Sequence, residues 1–506
     1  MGKSIFLLFI VAFILLSCKK NTDDGLITFT FIQLNDVYEI APLSGGMYGG
    51  MERVAHIRDS IKKENPNTFI FMAGDFLNPS LLGTIKAEGE RINGKQMIEV
   101  MNAMNFDLVT FGNHEFDLKE KDLQLRLNES NFPWVSSNVL HVTKKGNVPF
   151  TIQHGTDTIA IPNSYIFLIK DEEGTEVKIG FLSVTIPSNP KNYVYYGDIY
   201  NSAVKTYNSL KKNVDLVMAL THIKIEQDTE LAKLLTEIPF IMGGHEHNSM
   251  LVIEGNTIIS KADSNAKTIY IHTFTYNKKT NKLNIDSKLF PINETIISNP
   301  QVALIVNKWK SILDKKIREV IDDPEKVIYI ADSPLDGTDS ANRSIQTNLG
   351  EIITKAMAWA YNNDVDAALV NGGSIRVDDM LATRVTSLDV FRVLPFGGGI
   401  LKVELKGSLL KDVLDFGKAK RGTGAYLQRF NIKVDADSGV WLIKGENILP
   451  EKTYIIAFSD FLLKGYDIPF LTSENKDVIK VYNPKTKELA FDIRKAIILY
   501  LKSLNH

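Results

Sequence analysis

The sequence predicts an α/β fold in two units, an N-terminal half that alternates short strands with helices and a C-terminal half of the same class. Apolar runs at residues 27–34, 68–73, 106–111, 215–220 and 238–242 have the length of buried strands. Amphipathic segments of helical spacing lie between them, the alternation expected of an α/β sheet. Each run gives way to a short segment carrying Asp, Asn, His or Gly, so polar groups gather where strands end and loops begin. In open α/β sheets such loops converge on one crevice.

In chain order, Lys3 precedes a twelve-residue apolar run, 5–16. That is shorter than the roughly 20 residues of a membrane-spanning helix and fits a signal-peptide core. Leu15-Leu16-Ser17-Cys18 follows and resembles the bacterial lipobox, whose Cys becomes the lipidated first residue. Cys18 is the only cysteine, so it has no partner for an internal disulfide. The expectation is a signal peptide over 1–18, a lipid anchor on Cys18 and a polar tether over 19–25. Residues 51–64 read as a helix, with Val54, Ile57 and Ile61 on one face. Further helices are expected over 96–104 and 203–213, and a hairpin over 269–286 with its turn at 277–282.

Residues 301–321 set Val302, Ile305, Trp309, Ile312 and Ile317 against Lys308, Lys310, Lys315, Lys316 and Arg318. This stretch reads as a helix joining two domains, or equally as the first helix of the second. A helix at 347–361 and strands at 367–370 and 402–405 follow. The expected domains are therefore 26–298, a linker helix 299–321, and 322–506.

Composition excludes several classes. The 506 residues suffice for two or three domains, and 44% hydrophobic against 23% charged residues excludes wholesale disorder. A net charge of −2 lacks the basic footprint of a nucleic-acid binder, so no nucleic-acid polymer is expected as partner.

Five segments carry the chemistry: Leu34-Asn35-Asp36-Val37-Tyr38, Gly74-Asp75, Gly112-Asn113-His114-Glu115-Phe116-Asp117, Thr221-His222 and Gly243-Gly244-His245-Glu246-His247. They offer carboxylate, amide and imidazole donors and no thiolate, a set for hard or borderline divalent metals in hydrolysis. A carboxylate such as Asp36 or Asp75 can bridge two cations about 3.5–4 Å apart. His114 has Asp117 three residues later to orient its ring, which suits a proton donor to phosphate better than a ligand. A lone His more often satisfies a loop. Here four of nine His fall inside the five segments, while His56, His141, His154, His272 and His506 read as surface or packing residues.

Together the segments resemble the calcineurin-like metallophosphoesterase core of the 5′-nucleotidase family. The C-terminal half resembles it too, through Asn371-Gly372-Gly373-Ser374-Ile375-Arg376, Leu394-Pro395-Phe396-Gly397, and Ser459-Asp460-Phe461 through Asp467. The resemblance implies a four-layer αββα sandwich, a helical linker and a C-terminal α/β substrate domain. It implies two divalent metal ions (Mn, Zn, Co or Mg), one on Asp36, Asp75 and His247, the other on Asp75, Asn113, His222 and His245. His114 and Asp117 become the catalytic pair. Arg343, Asn371, Arg376 and Asp467 would grip phosphate, ribose or base, with Phe396 and Phe461 stacking on the base.

The implied activity is hydrolysis of nucleotide phosphate esters by a lipid-anchored enzyme of the bacterial cell envelope, outside the cytoplasm. Alternatives are a 2′,3′-cyclic phosphodiesterase/3′-nucleotidase, a nucleotide-sugar hydrolase, or a catalytically weak nucleotide-binding lipoprotein. Three positions depart from the family pattern. Tyr38 stands where a His ligand is usual, Asp339 where sugar-nucleotide hydrolases often carry a second Arg, and Tyr466 where Gly is usual before Asp467.

Overall fold

The computed structural model describes residues 24–87, 89–188 and 191–504. Cys18 and the signal-peptide and lipobox readings lie outside the described residues.

Two six-stranded sheets face one another. The first runs Lys282–Pro291, Thr268–Asn277, Leu26–Leu34, Thr68–Ala73, Leu108–Thr110, Trp134–Val135. The second runs Ser164–Lys170, Glu176–Thr185, Leu216–His222, Phe240–Gly243, Thr257–Lys261, Met250–Glu254. Central neighbours are parallel, with Ile32 opposite Ile70 and Leu220 opposite Met242. Central strands buried on both faces must be apolar throughout, which is why they read as continuous runs in the sequence.

Alternation along each strand divides those side chains between two cores. Phe29, Phe31 and Phe71, with Phe274 of the neighbouring strand, point inward, where they meet Phe181 and Phe240 from the facing sheet. Phe29 stacks on Phe274 with ring centroids 5.1 Å apart. Such pairs add about 0.5–1.5 kcal/mol to simple burial. Ile32, Leu34, Ile70 and Met72 point outward and pack under the helices Met51–Glu64 and Lys95–Ala103. Leu182, Val217 and Ile241 do the same beneath Ile199–Leu210 and Ile225–Leu234. The layers are helix, sheet, sheet, helix, as the family resemblance implies.

Pro300–Arg318 is one helix, with the Asn299 side chain accepting from the Gln301 and Val302 amides. Its buried stripe is Val302, Val306, Trp309, Leu313 and Ile317. Ile305 and Ile312, expected on that stripe, are only partly buried at its edge. The helix lies on Met51–Glu64 and Lys95–Ala103, with Trp309 Nε1 donating to Glu99 at 2.9 Å and Asn299 to Asp59 at 2.7 Å.

The C-terminal half holds a five-stranded sheet in the order Leu427–Phe430, Ala367–Asn371, Thr453–Ser459, Ile400–Lys406, Val478–Tyr482. Asn348–Trp359 and Ile493–Ser503 cover one face, and Gly407–Ala419 the other. Asp379 ties this half to the first: its carboxylate accepts from Lys267 at 2.6 Å, Ser264 at 2.9 Å and Asn265 at 3.0 Å.

Candidate metal centre

Two strand ends of the first sheet place the central carboxylates. Asp36 follows Leu26–Leu34 and Asp75 follows Thr68–Ala73, each with a positive φ, 54° and 56°, that turns the chain abruptly. The Asp36 amide donates to Gly74 O at 3.0 Å, locking the two turns together. Gly112 permits the closest approach, because a Cβ there would stand 2.0 Å from Asp75 Oδ1.

Glu115 organises the same turns from behind. Its buried carboxylate accepts the amides of Asp75 (2.9 Å), Phe76 (2.8 Å), Leu77 (3.0 Å) and Gly112 (2.6 Å). Sequence reasoning gave it no role. It lies inside the Asn-His segment, but its work is to gather backbone amides, and no spacing rule reports that.

The donors converge. Asp36 Oδ2 accepts from Asn35 at 2.8 Å and from the His245 amide at 2.9 Å, which leaves Oδ1 facing His247 Nε2 at 3.3 Å. Asp75 Oδ1 accepts the His114 amide at 2.7 Å, and Oδ2 lies 3.0 Å from His222 Nε2. His222 Nδ1 is 2.7 Å from Ala73 O, which fixes a proton on Nδ1 and turns Nε2 inward toward the carboxylates. Asp36, Asp75 and His222 form one group whose ligand atoms all lie within 4.8 Å of one another. Asn113 joins Asp75, His114, His245 and His247 around a cavity of about 350 Å³.

One buried atom there, Asn113 Oδ1, has no hydrogen-bond partner, and His222 Nε2 has only its ion-pair approach to Asp75. Buried polar atoms are rarely left so, and an acceptor oxygen and a ring nitrogen beside two carboxylates fit a divalent cation. The electrostatics agree. Burial opposes charge on His222 and His247, yet the surrounding carboxylates hold their protonated forms, raising them to about 9 and about 10. The site's negative potential thus demands positive charge. His245 is the exception: burial and the neighbouring His222 push it down to about 3, so it is a neutral imidazole.

Tyr38 is buried in the same crevice. Its phenol oxygen lies 3.0 Å from His247 Nε2 and 3.5 Å from both Asp36 and Asp75. Burial and the two carboxylates push its pKa well above the ordinary phenol value, so the hydroxyl keeps its proton.

His114 Nδ1 meets Asp117 Oδ2 at 2.8 Å. Burial opposes the imidazolium, but Asp75, Asp117 and Asp378 together hold it well above its ordinary value. Asp378 comes from the C-terminal half, two residues past Arg376. Its Oδ2 lies 3.5 Å from His114 Nε2 and 3.7 Å from His247 Nε2, and it accepts the Asp339 amide at 2.7 Å. Nothing in the local pattern Val377-Asp378-Asp379 signals this, because only packing of the two halves brings it there.

Of the expected substrate residues, Arg343, Asn371, Arg376, Phe461 and Asp467 line one cavity of about 440 Å³, together with Asp117 and Lys191. Arg343 also lines the metal-side cavity, so the two spaces adjoin. Asn371 Nδ2 donates to Asp467 at 2.7 Å. Asp339 pairs with the Arg343 guanidinium and so neutralises part of its charge. Phe396 does not line the cavity of Phe461. It is 60% exposed and borders a separate space beside Arg376. Among the described residues Phe461 pairs with the ring of Tyr466, 5.8 Å away and tilted by 46°.

Comparison with known proteins places this arrangement. Residues 29–249 match the family model for calcineurin-like phosphoesterases, and residues 327–472 match that for the 5′-nucleotidase C-terminal domain. The trifunctional nucleotide phosphoesterase YfkN of Bacillus subtilis is 28% identical over 496 residues, covering 88% of this chain but 32% of its own length. The 5′-nucleotidase of Bos taurus is 26% identical over 476 residues, covering 83% of this chain and 78% of its own. In fold, the 5′-nucleotidase precursor of Thermus thermophilus superposes with a TM-score of 0.65 at 23% identity, over 94% of this chain and 97% of its own. Both family models are matched, in sequence order, on the two halves that build the centre, and the chain belongs to the 5′-nucleotidase family of calcineurin-like metallophosphoesterases.

Proposed function

We propose that this protein is a 5′-nucleotidase-like phosphoesterase that removes phosphate from nucleotides. The observation that carries the reading is the convergence of the unpartnered Asn113 Oδ1 with His222 Nε2, Asp36 and Asp75, beside the His114–Asp117 pair. One divalent metal would rest on Asp36, Asp75 and His247, the other on Asp75, Asn113, His222 and His245. When bound, such ions activate water and offset the charge of the phosphate.

The protein's own groups do the rest. Asp117 orients His114, whose Nε2 carries a proton into the crevice for a phosphoryl or leaving-group oxygen. Arg376, 3.7 Å from Asp117, extends positive charge toward the second cavity. Phe461 offers a stacking face there, and Asp467 an acceptor for ribose hydroxyls. Asp378 stands on the face of His114 Nε2 that a phosphate oxygen needs. Two anions cannot share that position, so substrate entry displaces Asp378. Tyr38 remains a neutral phenol and leaves the first metal with one protein ligand fewer than usual in the family.

The test is release of inorganic phosphate from AMP by purified protein with manganese, cobalt or zinc, with metal content measured on the same sample. No turnover with any metal would refute the reading and favour a nucleotide-binding role. Among the described residues no helix is long and apolar enough to cross a membrane. The lipobox-like Leu15-Leu16-Ser17-Cys18 supports a lipid on Cys18 as the envelope anchor, and labelled fatty acid absent from the wild-type protein would overturn that assignment.

A further inference from the structure

Lys261 ends the strand Thr257–Lys261 and is fully buried. Four acceptors surround its Nζ. Two are backbone carbonyls, Ile223 O at 2.6 Å and Gly244 O at 2.8 Å. Two are carboxylates, Asp228 at 2.8 Å and Glu246. A buried ion pair is weak evidence for a stabilising role, since well-packed apolar residues often serve as well or better. The identity of the acceptors is therefore the informative point.

Ile223 directly follows His222, and Gly244 directly precedes His245. The two loops leave different strands, Leu216–His222 and Phe240–Gly243. The carboxylates extend the same tie. Asp228 accepts from the Thr221 hydroxyl at 2.6 Å, one residue before His222. Glu246, between His245 and His247, accepts the Ile225 amide at 2.7 Å. The chain bends here, with His245 at a φ of 87°, and the bend brings Glu246 to Lys261. Gly243 leaves room for the lysine stem, because a Cβ there would stand 2.9 Å from Lys261 Cε.

We propose that Lys261 is a positioning residue of the metal centre, its ammonium fixing the His222 and His245 loops at the separation that a divalent ion requires. A point charge with three donors suits this task, since it can reach carbonyls and carboxylates arriving from several directions. The inference rests on the reading that His222 and His245 hold metal.

The test is titration of metal-stripped protein with Mn(II) alone by calorimetry, for wild type and Lys261→Met, with thermal unfolding of both metal-free proteins alongside. Loss of an outer-shell partner typically weakens metal binding about 10–100-fold, and that rise in Kd is expected here. A Kd within twofold of wild type overturns the proposal, even if the unfolding midpoint falls, because that pattern belongs to a merely structural lysine. If Lys261→Met fails to fold, Lys261→Gln/Glu246→Gln removes a carboxylate together with the ammonium and carries the same comparison. A wild type that binds no Mn(II) would overturn the metal reading itself, an outcome distinct from equal binding by both proteins.

Discussion

The metal-side crevice and the neighbouring cavity of the C-terminal half are built by different means. In the crevice Asp36, Asp75 and Asn113 follow strands and His222 ends one; all four are buried, and Asp36, Asp75 and His222 are held by backbone amides and carbonyls. In the cavity the lining residues stand mostly on connecting segments, Phe461 and Asp467 are only partly buried, and side chains hold one another, as Asn371 holds Asp467. Groups that must meet a metal within fractions of an ångström need such rigid support. A stacking surface tolerates displacement, because attraction between flat rings is broad. On the proposed function, chemistry and recognition would rest on scaffolds of different stiffness, and they should separate under mutation.

The largest effect is expected at the crevice. Asp75→Ala should abolish both metal binding and phosphate release, and a variant that retained two metals per chain would break the assignment. His114→Ala should lower kcat by about 10²–10⁴, the range for a positioned acid–base group, with metal content unchanged. Parallel loss of metal would make His114 a ligand instead. Phe461→Ala should raise KM for AMP about 5–150-fold, corresponding to 1–3 kcal/mol of stacking, and leave a small aryl phosphate unaffected. Equal changes on both substrates would return Phe461 to a packing role.

A smaller effect joins the two regions. Asp378→Ala should lower KM for AMP and tighten inhibition by inorganic phosphate several-fold, because the competing carboxylate is gone. Loss of turnover at unchanged KM would show that Asp378 serves the reaction rather than obstructing it.

The smallest expected effect lies in the inter-sheet core. His272 is fully buried, between Ser287 at 2.9 Å and Gln33 at 3.0 Å, and burial pushes its pKa down to about 3. Its contribution is present above the unfolded value near 6.5 and is lost as pH falls toward 3, because the unfolded chain binds the proton more readily. The slope is about 1.4 kcal/mol per pH unit in that window. His272→Gln should flatten the acid side of the stability curve, measured by denaturant unfolding from pH 4 to 7. An unchanged slope would place the acid sensitivity elsewhere.

The sequence by itself determined the central strands, the outer helices and the ligand-bearing turns. Residues 68–73 and 51–64 read from the sequence coincide with Thr68–Ala73 and Met51–Glu64 in the structure. The reason is local: hydrophobic period and strand-end chemistry are written within a few residues of each element. The register of the apolar stripe on Pro300–Arg318 was less legible, because Ile305 and Ile312 differ from Val306 and Leu313 only in which neighbour they meet. Tertiary structure alone decided what depends on distant segments meeting. It turned Glu115 into a collector of amides from the Asp75 turn as well as its own, brought Asp378 of the second half against His114 of the first, parted Phe396 from Phe461, and set Lys261 between two histidine loops. A lysine, a glutamate or an aspartate carries no mark in the sequence of the partner it will face. That partner is chosen when the sheets, their loops and the two halves pack, and the cost of leaving a buried charge alone makes the choice binding.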